Sequence, residues 1–281
     1  MDDVYVAARR VLLDALEAVG PHRVAVTLVG AQTVYLRVGD ADIAVAPATT
    51  DGDLALNPED LGAAPPLERL LRAGGFERRR GDDGSPLVGV WARTVDLATG
   101  APATVDLLMP ETVATAAGRR AARLDGHETG TVLKVPGLES ALVDSDTMPV
   151  AALEATDERR FDIPVAGPAA LLVAKVHKIV DRHERPSRLE DKDALDVFRL
   201  LRGTPTEEMA RRLSLVLSDT RSADSARVAI ADFPSLFAQP GGSGVQMALR
   251  ATAGLMAAAE VTASLVALAR DLSAKVMPAG G

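Results

Sequence analysis

The chain has 281 residues, 47% hydrophobic but only 3% aromatic, so it can bury a large aliphatic core yet offers few rings on which to stack bases. Thirty-nine acidic against 31 basic side chains leave a net charge of −8, which argues against a broad basic face for duplex DNA. There is no cysteine, which removes disulfides, thiolate metal sites and cysteine nucleophiles.

The N-terminal residues are acidic and then basic, without the apolar run of a signal peptide. The late apolar stretch 245–277 is interrupted by Arg250, Glu260 and Arg270, too often for a membrane span. The expectation is a soluble, cytoplasmic protein with no membrane partner.

In chain order, residues 3–19 carry apolar side chains at helical spacing until Gly20-Pro21. Residues 24–29 are a Val-rich strand, and after Gly30 a helix runs to Gly39. A segment with Pro47 reads as loop or edge. A second strand covers 50–56, and Asn57 is placed to cap a helix start. Another helix ends at Gly74-Gly75, and Arg78-Arg79-Arg80 falls in a loop. Runs 87–97 and 103–110 flank the turn 98–102 as a hairpin, with short strands at 131–135 and 161–165. From Gly167 the pattern is helical: 168–182, 188–202, 204–218 and a last long helix over 245–277, after the glycine-rich 241–244. This order predicts an α/β (α+β) fold, a mixed sheet with flanking helices in 1–165 followed by a helical domain in 166–281.

The most informative run is Thr49-Thr50-Asp51-Gly52-Asp53-Leu54. On a strand, Asp51 and Asp53 share a face about 6.6 Å apart. Two carboxylates so placed call for a cation between them, and a hard ion such as Mg²⁺ favours oxygen ligands. The strand is expected to run from this acidic end into the core, with Gly52 leaving room for close approach. Asp106, set among apolar residues in Thr104-Val105-Asp106-Leu107-Leu108, is costly to bury except at a site. Asp40-Ala41-Asp42 repeats the Asp-x-Asp spacing and is an alternative metal pair; Asp96 in Thr94-Val95-Asp96 mimics Asp106 beside the turn. Further along, Lys175, Lys178 and Arg182 fall on adjoining turns of one helix, and Asp193 and Asp196 share a face of the next.

Taken in order, these motifs resemble the nucleotidyltransferase superfamily, and in particular the AbiEii/MenT-like toxin nucleotidyltransferases of type IV toxin–antitoxin systems. The matching residues are the strand ending in Gly30, the Thr-x-Asp-x-Asp of Thr49, Asp51 and Asp53, the Val-Asp-Leu around Asp106, the helix with Lys175, and Lys192-Asp193 with Asp196. Ala31 stands where the family has a glycine or small polar residue, leaving a backbone N–H at the helix start to meet phosphate. The resemblance implies that Asp51, Asp53 and Asp106 hold Mg²⁺ against a nucleoside triphosphate, and that Asp106 helps deprotonate an attacking hydroxyl. It further implies that Lys175 clamps the phosphates with Arg182 in support, that Gly30, Ala31 and Thr50 line the nucleotide, and that Asp193 and Asp196 serve the same site. The implied reaction is transfer of a nucleoside monophosphate to the 3′ end of tRNA, with an antitoxin as partner. The basic clusters available for tRNA are Arg78–Arg80, Arg119-Arg120 with Arg123, and the Lys175–Arg188 stretch. Two alternatives stay open: an enzyme of the same fold acting on a small hydroxylated molecule, as aminoglycoside nucleotidyltransferases do, and a catalytically inactive nucleotide-binding module.

Overall fold

In the computed structural model, which describes residues 3–39, 41–43, 45, 49–93, 103–116, 120–183 and 190–276, the chain divides into two units. The first comprises Met1–Thr33, Pro47–Val135 and Ser145–Ala166; the second comprises Val34–Ala46, Pro136–Asp144 and Gly167–Gly281.

The first unit is built on a mixed sheet. Its elements are α1 (Asp3–Ala18), β1 (Val26–Val29), the start of α2 (Gly30–Val38), β2 (Asp51–Leu56), α3 (Leu67–Ala73), β3 (Glu77–Arg80), β4 (Pro86–Arg93), β5 (Ala103–Pro110), a small ribbon of β6 (Thr115–Ala116) and β7 (Ala122–Arg123), β8 (Leu133–Val135), β9 (Ser145–Ala151) and β10 (Arg160–Ala166). The strand order is β3-β4-β5-β2-β1-β10-β9, with β8 joined to β5. β2 runs parallel to β5, and β1 parallel to β10, while the remaining pairs along that order are antiparallel. The α+β class expected from the sequence is the class observed.

The central strands are apolar because they are covered. Leu54, Ala55 and Leu56 of β2 and Val105, Leu107 and Met109 of β5 are buried, and α1 packs on both strands with Leu12, Leu13 and Leu16. A Cβ on Gly52 would lie 3.0 Å from Leu12 Cδ1, so the close approach that Gly52 permits is made by α1. At Gly89 (φ +76°) β4 leaves β5: its N–H bonds Gly130 O at 3.0 Å, and a Cβ there would strike Leu133. β8 then takes β4's place, pairing Leu108 with Leu133.

Four local expectations change. Asn57 caps no helix; its Oδ1 accepts from Glu59 N–H at 3.2 Å in a turn, and α3 starts only after Pro65-Pro66. Arg78-Arg79-Arg80 lies in edge strand β3, where charge discourages edge-to-edge pairing. β9 is a polar strand that the pattern did not announce. The stretch 245–277 holds two helices, α8 (Ser243–Ala251) and α9 (Ala258–Val276), separated by a turn in which Gly254 has φ +76°. The expected turn 98–102 lies outside the described residues, although β4 and β5 pair antiparallel as the hairpin requires.

The second unit is helical: α4 (Pro168–His183), α5 (Asp191–Gly203), α6 (Thr206–Ser218), α7 (Ala223–Phe237), α8 and α9, with the end of α2. Buried Asp144 anchors the start of α4, accepting from Ala170 N–H at 2.9 Å and pairing with Arg212 at 2.7 Å. Gly203 sits against Val38, where a Cβ would come within 2.5 Å. Among the described residues no helix is long and apolar enough to cross a membrane.

Two histidines of the first unit fasten the segment entering α3. His22 Nε2 donates to Pro65 O at 2.6 Å, since a carbonyl only accepts. His127 Nδ1 accepts from Leu67 N–H at 3.0 Å, which requires the neutral ring and places its proton on Nε2, donating to Gly62 O at 3.0 Å. Burial pushes the His127 pKa down, reinforced by His22 and opposed by the Gly62 bond and by Glu68. The unfolded chain therefore binds more protons just below the ordinary value of about 6.5, and stability contributed by His127 is lost as pH falls through that window. Urea unfolding at about pH 7.5 and pH 5.5 should show a drop in midpoint that shrinks in His127→Gln; an equal drop in both proteins would assign it to other groups.

Candidate functional site

The parallel pairing of β2 with β5 sets Asp53 directly beside Asp106 and Asp51 beside Thr104. Asp51 and Asp53 are two apart and share a face, while Gly52 and Leu54 face α1. One oxygen from each of Asp51, Asp53 and Asp106 lies within 4.8 Å of the others, and all three residues are half-buried. Among the described residues no other set of three acids or histidines converges in this way. Of the alternative pair, Asp42 occupies a turn at φ +54° in the second unit, and Asp40 lies outside the described residues, as does Asp96.

The surroundings are shaped to these acids. β1 ends at Val29, opposite Asp53, and the chain turns into α2 through Gly30 at φ +78°. A Cβ on Gly30 would fall 1.8 Å from Asp53 Oδ2, so glycine is required by both backbone and space. Ala31 is buried in the first turn of α2. Thr49 donates its hydroxyl to Asp51 Oδ1, whereas Thr50 is exposed and contributes its carbonyl to Thr104 N–H at 3.1 Å.

Two residues that sequence reasoning passed over belong here. Gln32, buried on α2, donates from Nε2 to Asp51 O at 3.0 Å. Arg9, buried on α1, donates from Nε to Gln32 Oε1 at 2.8 Å and is itself held by Ala151 O at 3.0 Å and Tyr5 OH at 3.1 Å. The available signal was phase: Arg9 falls in the apolar stripe Tyr5, Leu12, Leu16, while Arg10 next to it pairs with Glu154 at the surface.

In the second unit a separate set of the expected residues meets. Lys175 Nζ donates to Asp193 Oδ1 at 2.9 Å and to Asp196 Oδ2 at 2.6 Å. Lys178 lies 3.2 Å from Asp193, and Arg182 bridges Asp193 and Glu190 at 3.0 Å each. Both acids are in the first two turns of α5, and both are buried. Burial works against the charge on Lys175, but Asp193 and Asp196 outweigh it and raise its pKa. Burial likewise works against the charge on Asp193, yet Lys175, Lys178 and Arg182 bring its pKa well below the carboxylate range. The side chain of Lys175 is only 6% exposed against 39% for Lys178 and 20% for Arg182, so the latter two carry the accessible charge.

Of the basic clusters, Arg79 and Arg80 are exposed on β3, while Arg78 faces Glu128 at 3.7 Å. Arg120 and Arg123 are exposed. Arg119 and residues 184–189 of the Lys175–Arg188 stretch lie outside the described residues. No protein-family model and no curated protein matches this sequence.

Gly30→Ala carries both the left-handed strain, about 1–3 kcal/mol, and the clash with Asp53. Gly39 has φ +59° with no atom of the described residues within 4 Å of a built Cβ, so Gly39→Ala carries the strain without that clash. Thermal unfolding should show the larger loss for Gly30→Ala; equal losses would mean that Asp53 moves aside freely. Lys175→Met should cost about 3–5 kcal/mol in urea unfolding at neutral pH by leaving buried carboxylates short of a cation. Because the wild-type contribution of Asp193 is present above an ordinary carboxylate pKa of about 3.9 and lost below it, this deficit should narrow on acidification past about pH 4. A deficit independent of pH would trace to packing.

Proposed function

We propose that the protein is a nucleotidyltransferase that moves a nucleoside monophosphate from a nucleoside triphosphate to an acceptor hydroxyl, with the 3′ end of tRNA as acceptor, and that it acts as the toxin of a toxin–antitoxin pair whose antitoxin is its protein partner. The observation that carries the reading is the meeting of Asp51, Asp53 and Asp106 within 4.8 Å on two neighbouring strands. The motif order along the chain supports the family, and the family supplies tRNA and the antitoxin.

The donor set fits Mg²⁺. It is all carboxylate oxygen, half-buried, and free of the nitrogen and sulfur ligands that softer metals favour. Asp51, Asp53 and Asp106 would hold the ion, which when bound would supply positive charge to the triphosphate. On this reading half-buried Asp106, beside Asp53, would accept the proton of the attacking hydroxyl. The acceptor oxygen forms a bond to the α-phosphorus as the α–β bridging oxygen departs with pyrophosphate, and the proton passes to the carboxylate. Gly30 keeps side-chain bulk away from Asp53, and the backbone N–H groups at the start of α2, from Ala31 onward, offer donors to phosphate. Lys175 and Arg182 are assigned to the triphosphate by the resemblance; the ion pairs of Lys175 with Asp193 and Asp196 fix where its ammonium sits.

Purified protein incubated with Mg²⁺, each labelled nucleoside triphosphate and bulk tRNA should transfer label to tRNA, and Asp53→Asn should reduce transfer at least about a hundredfold while unfolding at a similar temperature. Label appearing only on a small hydroxylated acceptor would replace tRNA with the antibiotic-modifying class. Absence of transfer together with absence of triphosphate binding would sink the enzymatic reading.

A further inference from the structure

We infer that Arg9 and Gln32 act as positioning residues for the acidic site, holding the backbone of Asp51 so that its carboxylate meets those of Asp53 and Asp106; this rests on the reading of the three acids as a divalent-cation site. β1 stops at Val29 opposite Asp53, so Asp51 lies past the end of β1 and no β1 residue is in register with it. The Gln32 side chain takes that place, its Nε2 donating to Asp51 O at 3.0 Å. Gln32 can present its N–H to a carbonyl in only one amide orientation, and Arg9 selects it by donating to Oε1 at 2.8 Å. Arg9 is fixed in turn by the carbonyl of Ala151 on β9 and the hydroxyl of Tyr5.

Burial makes the arrangement consequential. Gln32 and Arg9 are 1% and 3% exposed, and among the described residues Arg9 forms no ion pair. A guanidinium enclosed without a carboxylate partner is costly if its only purpose is packing. Here its positive charge polarises the Gln32 amide, strengthening the bond to Asp51 O. Partners that orient the groups around a metal typically alter its affinity about 10–100-fold when removed.

The test measures Mn²⁺ binding directly, by electron paramagnetic resonance of the free ion, in parallel with thermal unfolding. Wild type should bind Mn²⁺ and Asp53→Asn should not. Gln32→Met, which keeps length but cannot donate, should weaken Mn²⁺ binding about 10–100-fold at a modest cost in melting temperature. Arg9→Met should do the same, and Arg9→Lys, which keeps the charge and one donor, should restore part of the affinity. Should Gln32→Met fail to fold, the Arg9→Lys and Arg9→Met pair decides the matter. Mn²⁺ affinity equal to wild type in Gln32→Met or Arg9→Met would overturn the positioning role while leaving the metal site intact. Wild-type protein that binds no Mn²⁺, or binds it equally well as Asp53→Asn, would instead overturn the metal site, and this inference with it.

Discussion

Asp53 and Asp106 are neighbours because two parallel strands are in register, and this closeness of two carboxylates is the constraint to which their surroundings are fitted. Two unit charges about 5 Å apart at an effective dielectric near 20 repel by roughly 3 kcal/mol, so ionising neighbouring carboxylates together is costly. The register is held against that force from behind, by the aliphatic packing of Leu12, Leu13 and Leu16 on β2 and β5. The site is thus an acidic edge on a core that gains its stability elsewhere, and a cation binding there would convert the repulsion into attraction.

The second cluster of acids solves the same electrostatic problem the opposite way. Asp193 is enclosed by Lys175, Lys178 and Arg182, and Asp196 by Lys175 with Arg199 at 3.6 Å. The charge there is balanced within the helical unit itself. Ionisation of Asp193 is favoured by close cations that overcome burial, and the ion pairs of this cluster hold α4 to α5 whatever else they do.

Much of this was legible in the sequence wherever a single segment carried its own signal. A Val-rich run gave β1, an apolar run gave β5 and helical periodicity gave α1, α4 and α5; Asp40 and Asp42 share the spacing of Asp51 and Asp53, but the threonines and leucines around the latter pair, and the apolar flanks of Asp106, marked the three acids that converge. What escaped depended on partners distant in sequence. β9 reads as polar, with Pro149 inside it, and is a strand only because it borders β10, on an edge that tolerates proline. Asn57 suits a helix cap and a turn equally, and the prolines that follow decide between them. Gln32 resembles any polar helix residue until Asp51 is seen to lie past the end of β1. The charge of Arg9 concealed that its position on α1 faces inward.

β5 changes neighbours just beyond its catalytic candidate: β4 accompanies it as far as Asp106, and from Leu108 onward β8 does. The hairpin of β3 and β4 and the arm leading to β8 therefore hold successive lengths of the same strand, before and after one carboxylate, and the bond from Gly89 N–H to Gly130 O joins them. Loops that join such elements tolerate insertion and replacement far better than the strands they flank. Lengthening the turn between β3 and β4 leaves untouched the pairing that places Asp106 beside Asp53. A scaffold joined in this way can change its loops over evolutionary time while Asp53 and Asp106 stay side by side.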